Sequence, residues 1–131
     1  MSAGPSAAVV LYVEDEVLTQ QLVEDGLNDA GFSVVVASNA EEGLAILRTR
    51  GSDIVGLVTD IKLGEGMDGW TVARQARELH PNLPVVYVSG TDGHEWTAHG
   101  VPSSVMIAKP FAPAQVVVAI SSLLNTTDQQ G

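Results

Sequence analysis

Residues 57–70 read LVTDIKLGEGMDGW, and the fold class follows from this segment. An apolar run ends at Asp60, a glycine-rich loop follows, and the residues from 68 onward have the pattern of a helix start. A short, continuous apolar run is typical of a strand covered on both faces, as in the parallel sheets of α/β proteins. We therefore expect Asp60 at the carboxyl end of a buried strand.

The same pattern repeats along the chain, because short apolar runs alternate with segments of helical periodicity. We predict strands at Ala8–Val13, Ser33–Ala37, Ile54–Thr59, Pro84–Val88 and Ser104–Ala108. We predict helices at Glu16–Ala30, from an N-cap at Asn39, at Asp68–His80, at 92–99 and around 116–124. Five βα units in alternation indicate a parallel sheet with helices on both faces.

The helical periodicity also predicts which apolar residues face the sheet. In the first helix these residues are Leu18, Leu22, Leu27 and Ala30, and in the second they are Ala40, Leu44 and Leu47. In the third helix they are Val72, Ala73, Ala76 and Leu79, and in the last they are Val116, Val117, Ile120, Leu123 and Leu124.

Length and composition limit the class of protein. The 131 residues are 45% apolar and 17% charged and include no cysteine, which fits one domain over residues 1–131 with a core over about 7–125. No apolar run is long enough for a membrane helix and the start lacks a signal-peptide pattern, so we expect a cytoplasmic protein. The net charge of -10 argues against binding to nucleic acid or to an anionic membrane.

Chemically useful side chains follow the predicted strands. Glu14 and Asp15 follow the first strand, Asp60 the third, Ser89 the fourth and Lys109 the fifth. Ligands of such sheets bind beyond the carboxyl ends of the strands. Taken singly, each residue has an ordinary explanation as a helix-terminal acid, a loop or turn residue, or a surface lysine. Together at one edge of the sheet, they indicate a site.

The residue types favour phosphoryl chemistry with a divalent cation. In the common five-stranded order the first and third strands are neighbours, so Asp15 and Asp60 converge and repel each other unless a cation binds. Oxygen ligands of this kind suit Mg²⁺. A metal ion, the Lys109 ammonium and the Ser89 hydroxyl together stabilise the oxygens of a phosphoryl group, and a carboxylate nucleophile forms an acyl phosphate.

In these residues the chain resembles the receiver domain of two-component response regulators. The matching segments are LYVEDE at 11–16, LVTDIKLGEGMDG at 57–69, VVYVSG at 85–90 and AKPF at 108–111. Each segment is a weak signal alone, but their order and spacing are highly specific, and the resemblance covers about residues 7–125. It implies a flavodoxin-like, doubly wound α/β fold with a five-stranded parallel sheet in the order 2-1-3-4-5.

The resemblance also implies a role for each residue. Asp60 is the phospho-acceptor, which receives its phosphoryl group from a histidine kinase or a histidine phosphotransfer protein. Ser89 and Lys109 contact the phosphoryl group, and the Lys109–Pro110 peptide bond is expected to be cis. The implied ligands of a Mg²⁺ cofactor are Asp15, Asp60, Glu14 through water, and the backbone carbonyl of Lys62.

The implied function is a phosphorylation-dependent signalling switch that acts through a downstream protein partner, not an enzyme with an external substrate. Because no output domain follows the last predicted helix, we expect a stand-alone, chemotaxis-regulator-like receiver. Two alternatives stay open. One is a pseudo-receiver that binds partners without phosphorylation, and the other is a Mg²⁺-dependent hydrolase that works through an aspartyl phosphate.

Three features depart from the family pattern. The loop after Asp60 is one residue longer than usual, and Gly64 and Gly66 give its backbone freedom to bend. The Lys62 side chain has two open orientations, toward the phosphoryl site or outward. Met106 stands where an aromatic switch residue is usual. We therefore expect an altered coupling between the phosphorylation site and the signalling face, with phosphorylation itself retained.

Overall fold

The computed structural model describes residues 8–64, 66–90 and 95–130, in which strands and helices alternate. The strands are β1 (Val9–Val13), β2 (Ser33–Ala37), β3 (Ile54–Asp60), β4 (Val85–Ser89) and β5 (Ser104–Ala108). The helices are α1 (Val17–Asp29), α2 (Ala40–Arg50), α3 (Gly69–Leu79), α4 (Trp96–His99) and α5 (Pro113–Gln130), and a 3₁₀ turn (Gly51–Asp53) precedes β3.

The five strands form one parallel sheet in the order β2-β1-β3-β4-β5. The predicted doubly wound, flavodoxin-like fold is therefore confirmed. The register pairs Val13 of β1 with Thr59 of β3, and Asp60 with Val88 of β4. The carboxyl ends of β1, β3 and β4 thus lie side by side, so the residues that follow them share one edge of the sheet.

The sheet separates two apolar layers. Alternate residues of a strand point to opposite faces, so Leu11 packs in one layer and Tyr12 in the other. The first layer includes Leu44 of α2 and residues of α3, and the second includes Leu27 of α1 and Ile120 of α5. Helices on both faces explain why the central strands are largely apolar.

Helix α1 turns a different face to the sheet from the one predicted. Leu18 and Leu22 are 72% and 61% exposed, and Ala30 lies exposed beyond the end of the helix. The buried residues are Val23 and Leu27, which pack in the layer shared with α5. The predicted stripe is therefore wrong except at Leu27, because the neighbouring row of side chains faces α5 and the sheet.

The apolar faces predicted for the other helices are largely confirmed. Fully or nearly fully buried are Ala40, Leu44 and Leu47 of α2, Val72, Ala73 and Ala76 of α3, and Val116 and Ile120 of α5. Partly buried are Val117, Leu123 and Leu124 of α5. Leu79 is 43% exposed and was wrongly predicted to face the sheet, because it is the last residue of α3.

The bounds of several elements differ from the predicted ones, most of all in α5, which spans Pro113–Gln130 where a helix was predicted around 116–124. Strand β3 continues to Asp60, so this carboxylate belongs to the strand itself. Helix α4 is one turn long, and residues 92–94 of the predicted fourth helix lie outside the described residues. Within the described ranges, none of the helices has the length and apolar character that a membrane span requires.

Candidate functional site

Three carboxylates meet at the edge where β1 and β3 end. Glu14 and Asp15 directly follow β1, and Asp60 is the last residue of β3. One oxygen from each of the three lies within 4.8 Å of the others. Glu14 and Asp60 are buried, with 0% and 5% exposure, whereas Asp15 is exposed. The acidic pocket therefore meets solvent at Asp15.

The Lys109 ammonium is a counter-ion of this pocket. Its Nζ donates a hydrogen bond to Asp60 Oδ2 at 2.9 Å and lies 3.8 Å from Glu14 Oε1. Burial lowers the pKa of Lys109, but the hydrogen bond to Asp60 and the charges of both carboxylates outweigh burial and raise this pKa. Lys109 therefore stays protonated and holds the Asp60 carboxylate in place.

Both carboxylate oxygens of Glu14 are held by donors. The Tyr12 hydroxyl donates to Oε1 at 3.1 Å, and the Glu16 backbone N–H donates to Oε2 at 3.2 Å. Burial and then the charge of Asp60 raise the pKa of Glu14 to about 7, against the opposing effect of Lys109. The ionised form of Glu14 is therefore costly in this pocket unless a cation joins it.

The ends of β4 and β5 complete the site. Ser89 is buried at the end of β4, one residue beyond Val88, the register partner of Asp60. The Ser89 carbonyl accepts a hydrogen bond from the Lys109 N–H at 2.8 Å. The Lys109–Pro110 peptide bond is cis, as predicted. Ser89 and Lys109 thus lie at the same edge of the sheet as the carboxylates.

The loop between β3 and α3 borders the carboxylates. The Lys62 backbone N–H donates to Asp60 Oδ1 at 3.3 Å, while the exposed Lys62 side chain lines a separate cavity of about 310 Å³ beside Trp70. Gly64 has a φ of 78°, in the left-handed region that favours glycine. A Cβ at Gly64 would lie 3.8 Å from Asp15 Oδ2, so this part of the loop passes beside the exposed carboxylate.

Helix α3 begins against the end of β3. Asp68 Oδ1 accepts a hydrogen bond from the Thr71 N–H at 2.9 Å and so caps the helix. The Gly69 N–H donates to the Ile61 carbonyl at 2.7 Å. A side chain at Gly69 would overlap the carbonyl oxygen of Asp60, so this close approach requires glycine. The start of α3 therefore fixes the backbone that carries Asp60.

An aromatic ring beside Met106 comes from β4. Met106 is partly buried and pairs in register with Tyr87. Tyr87 is fully buried, its ring centroid lies 4.7 Å from that of Trp70, and its hydroxyl accepts a hydrogen bond from the Val101 N–H at 3.0 Å. The sequence interpretation missed Tyr87, although its place two residues before Ser89 on one strand was an available signal.

The acidic pocket fits a hard divalent cation. Mg²⁺ takes oxygen ligands in octahedral geometry and usually combines one or two carboxylates with carbonyl groups and water. Glu14, Asp15 and Asp60 offer oxygens of this type within 4.8 Å of one another. Among the described residues, Lys109 is the one ammonium in contact with Asp60 and Glu14, so two of the three negative charges remain to be balanced when all three acids are ionised. The donor set and the charge both suit Mg²⁺.

Comparison with known proteins identifies the family. The family model of the response regulator receiver domain matches residues 10–121. The chain therefore belongs to the response regulator receiver domain family. Its function is thus phosphorylation-dependent signalling of the kind found in two-component systems.

The chain matches nearly the whole of one solved receiver structure and only parts of two longer curated proteins. The crystal structure of a response regulator receiver protein from Sinorhizobium medicae WSM419 is 43% identical, with a TM-score of 0.88, and the match covers 92% of this chain and 96% of that one. The sensor kinase CckA of Brucella abortus is 30% identical over 93% of this chain and 13% of its own length. The transcriptional regulatory protein CusR of Escherichia coli K12 is 30% identical over 88% of this chain and 51% of its own length. The chain therefore spans about half or less of these two curated relatives.

Proposed function

We propose that Asp60 is the phosphoryl acceptor of this receiver domain and that a histidine kinase or a histidine phosphotransfer protein supplies the group. The observation that carries the proposal is the 2.9 Å contact between Asp60 Oδ2 and Lys109 Nζ in a pocket with two further carboxylates. A carboxylate is an established nucleophile in phosphoryl transfer. An Asp60 oxygen forms the new P–O bond while the P–N bond to the donor histidine breaks, and the imidazole leaves with that electron pair.

Lys109 and Ser89 act on the transferred group. Before transfer, the Lys109 ammonium orients the Asp60 carboxylate through the hydrogen bond to Oδ2. As the phosphoryl oxygens arrive, the same ammonium stabilises their negative charge, and the Ser89 hydroxyl donates a hydrogen bond to them. Groups that are already oriented stabilise the charge without a reorganisation cost during the reaction. The placement of both residues at the edge of the sheet that carries Asp60 supports these roles.

The cofactor in this proposal is Mg²⁺. Asp15 and Asp60 would bind it directly, Glu14 through water, and the Lys62 carbonyl would add one further oxygen. When bound, the ion supplies positive charge that neutralises the phosphoryl oxygens. The oxygen cluster within 4.8 Å supports this assignment, and so does the pKa of Glu14, which burial and then the charge of Asp60 raise.

The phosphorylated domain acts as a switch and not as an enzyme with an external substrate. The phosphoryl group stays on the chain, so its effect is a shift between conformations that bind protein partners differently. The alternatives predict different behaviour at Asp60. A pseudo-receiver would not be labelled there, and a hydrolase would release phosphate from added substrate repeatedly.

We further propose that the protein phosphodonor docks on the exposed face of α1. Val17, Leu18 and Leu22 are 60–72% exposed, and Leu22 borders a groove of about 380 Å³ that Lys109 also lines. An apolar helix face beside the acceptor site fits a donor whose own helices present the phosphohistidine to Asp60. Transfer from a phosphorylated histidine kinase that labels the wild type should fall at least tenfold in a Leu18→Ser/Leu22→Ser variant. Labelling by acetyl phosphate should not change.

A matched control for this docking face is Leu79→Ser. Leu79 is 43% exposed at the end of α3, which packs on the opposite side of the sheet. This variant should accept phosphate from the kinase at the wild-type rate. Equal losses in the two serine variants would show that surface hydrophobicity in general, and not the α1 face, matters for transfer.

The experiment that tests the acceptor measures intact-protein mass after incubation with Mg²⁺ and acetyl phosphate. The wild type should gain one phosphoryl group, and Asp60→Asn should gain none. Asp53→Asn is a matched control, because Asp53 is an exposed aspartate paired with Arg50 away from the pocket. It should be labelled like the wild type, and a chelator should abolish labelling. An unlabelled wild type, beside a control receiver that is labelled, would favour the pseudo-receiver.

A further inference from the structure

Tyr12 lies directly behind the acidic pocket, and the receiver-domain motifs assign it no role. It is a fully buried residue of β1 in the apolar layer formed with α1 and α5. Its hydroxyl donates to Glu14 Oε1 at 3.1 Å. Tyr12 and Glu14 are two residues apart along an extended backbone, which places both side chains on the same side of the strand. A polar contact therefore links the core to the carboxylate cluster.

The Glu14 carboxylate has a competing partner close by. Lys109 Nζ lies 3.8 Å from Oε1, the same oxygen that accepts the Tyr12 hydroxyl. Lys109 already makes its short contact with Asp60 Oδ2, at 2.9 Å. If Oε1 lost the hydroxyl, rotation of Glu14 toward the ammonium would recover a donor for the buried oxygen. Such a rotation would change the orientation of the carboxylate relative to Asp15 and Asp60.

We propose that Tyr12 is a positioning residue for the Mg²⁺ site, fixing the orientation of the Glu14 carboxylate beside Asp15 and Asp60. This inference rests on the proposed Mg²⁺ site. Groups that hydrogen-bond to metal ligands fix the orientation of those ligands, and removing such a group typically costs 10–100-fold in metal affinity or activity. The second anchor of Glu14, the Glu16 N–H at 3.2 Å, remains when the hydroxyl is removed. We therefore expect an effect at the lower end of that range.

The test compares two tyrosines that are equally buried. Tyr12→Phe removes the hydroxyl that touches Glu14, and Tyr87→Phe removes a hydroxyl that bonds Val101 on the other side of the sheet. Isothermal titration calorimetry with MgCl₂ alone measures the Kd of each protein. Tyr12→Phe should raise the Kd about tenfold. Tyr87→Phe should leave it within twofold of the wild type.

A double-mutant cycle separates positioning from a general structural effect. In a Glu14→Gln background the Tyr12 hydroxyl no longer has a carboxylate to orient, so Tyr12→Phe should cause no further loss of Mg²⁺ affinity. A structural role of the ring or the hydroxyl in packing would weaken binding equally in both backgrounds. This comparison also stays informative if Tyr12→Phe lowers the thermal stability of the protein.

Phosphorylation supplies a second readout. The Mg²⁺ concentration that half-saturates labelling by acetyl phosphate should rise about tenfold in Tyr12→Phe, in parallel with the Kd. The labelling rate at saturating Mg²⁺ should stay within twofold of the wild type, because Asp60 and Lys109 are unchanged. A lower rate at saturating Mg²⁺ with an unchanged half-saturation point would contradict a positioning role.

The Mg²⁺ affinities measured by calorimetry can be compared whether or not the protein is phosphorylated at Asp60. If the wild type binds Mg²⁺ but is not phosphorylated, the switch proposal fails while the two tyrosine variants still decide the role of Tyr12. Wild-type affinity in Tyr12→Phe would overturn the inference, as would an equal loss in Tyr87→Phe. A wild type that binds no Mg²⁺ would overturn both the inference and the metal site on which it rests.

Discussion

Replacing Glu14 with glutamine should change how the stability of the metal-free protein depends on pH. Burial and the charge of Asp60 raise the pKa of Glu14 from an ordinary 4.5 to about 7 in the folded protein. Between these two values the folded protein binds more protons than the unfolded chain, so the free energy of unfolding falls as the pH rises. The stability contributed by protonated Glu14 is complete below pH 4.5 and is lost by about pH 7.

The size of the effect follows from the gap between the two pKa values. Each unit of difference between the folded and unfolded pKa of Glu14 corresponds to about 1.4 kcal/mol. Most of the resulting change in the free energy of unfolding occurs between pH 5 and pH 8. Glu14 should therefore lower the free energy of unfolding by about 2.5 kcal/mol over this range in the wild type. Glutamine has a similar shape and does not titrate, so the variant should lack this contribution.

Urea denaturation at pH 5 and pH 8, with a chelator present, measures the difference. The remaining titrating groups are common to both proteins, so they largely cancel when the pH-dependent loss of the variant is subtracted from that of the wild type. Glu78→Gln, at an exposed position of α3, is the matched control and should lose stability as the wild type does. If wild type and Glu14→Gln lost the same free energy between the two pH values, the reasoning from buried charge would be refuted.

Substitutions at three further positions test contacts around the site by urea denaturation. Asp68→Ala removes the N-cap of α3 and should cost about 1 kcal/mol, while Asp68→Asn, which keeps a capping oxygen, should cost much less. Gly69→Ala forces a methyl group against the backbone carbonyl of Asp60 and should cost about 1–3 kcal/mol, with slower labelling by acetyl phosphate because the acceptor strand is displaced. Tyr87→Phe leaves the buried Val101 N–H without its acceptor and should cost about 1–3 kcal/mol, and an unchanged free energy of unfolding would show that water replaces the hydroxyl.

The position of the site was predictable because topology determines it. In a parallel α/β sheet, every residue that directly follows a strand lies at the same edge. Strand ends are visible in the sequence as the points where apolar runs stop. The location of Asp15, Asp60 and Lys109 at one edge of the sheet could therefore be predicted from the strand ends and the order of the strands alone. The 2.9 Å contact between Asp60 and Lys109, which are 49 residues apart, is the direct result of that order.

The exposed face of α1 was not predictable in the same way. Leu18 and Leu22 are four residues apart, and so are Val23 and Leu27, so α1 carries two apolar rows that satisfy helical periodicity. The choice between them depends on where α5 packs, which is a tertiary contact with no local signal. In the structure, Gly26 of α1 lies close to Pro113 of α5, and Val23 and Leu27 pack in the layer shared with α5.

The electrostatics of the pocket also depend on tertiary structure. The sequence places Glu14 at the edge of the sheet, but only the folded structure shows that it is fully buried beside Tyr12 and Lys109. In the sequence Tyr12 reads as one more apolar strand residue, but in the structure its hydroxyl donates a hydrogen bond to the buried Glu14 carboxylate. Only the spacing of two residues between Tyr12 and Glu14 hints at this contact, and that spacing is common to every strand.

Burial makes the excess of negative charge among Glu14, Asp15 and Asp60 important for the proposed function. Glu14, Asp15 and Asp60, when ionised, place three negative charges near one ammonium, and two of these carboxylates are shielded from water. A phosphoryl group on Asp60 would add further negative charge to a pocket that already lacks positive charge. Because buried like charges interact strongly, we expect that acceptance of the group requires a cation first and that a proton on Glu14 competes with this cation near neutral pH. If the proposed Mg²⁺ and phosphoryl sites hold, this one buried acid links metal binding, pH and phosphorylation.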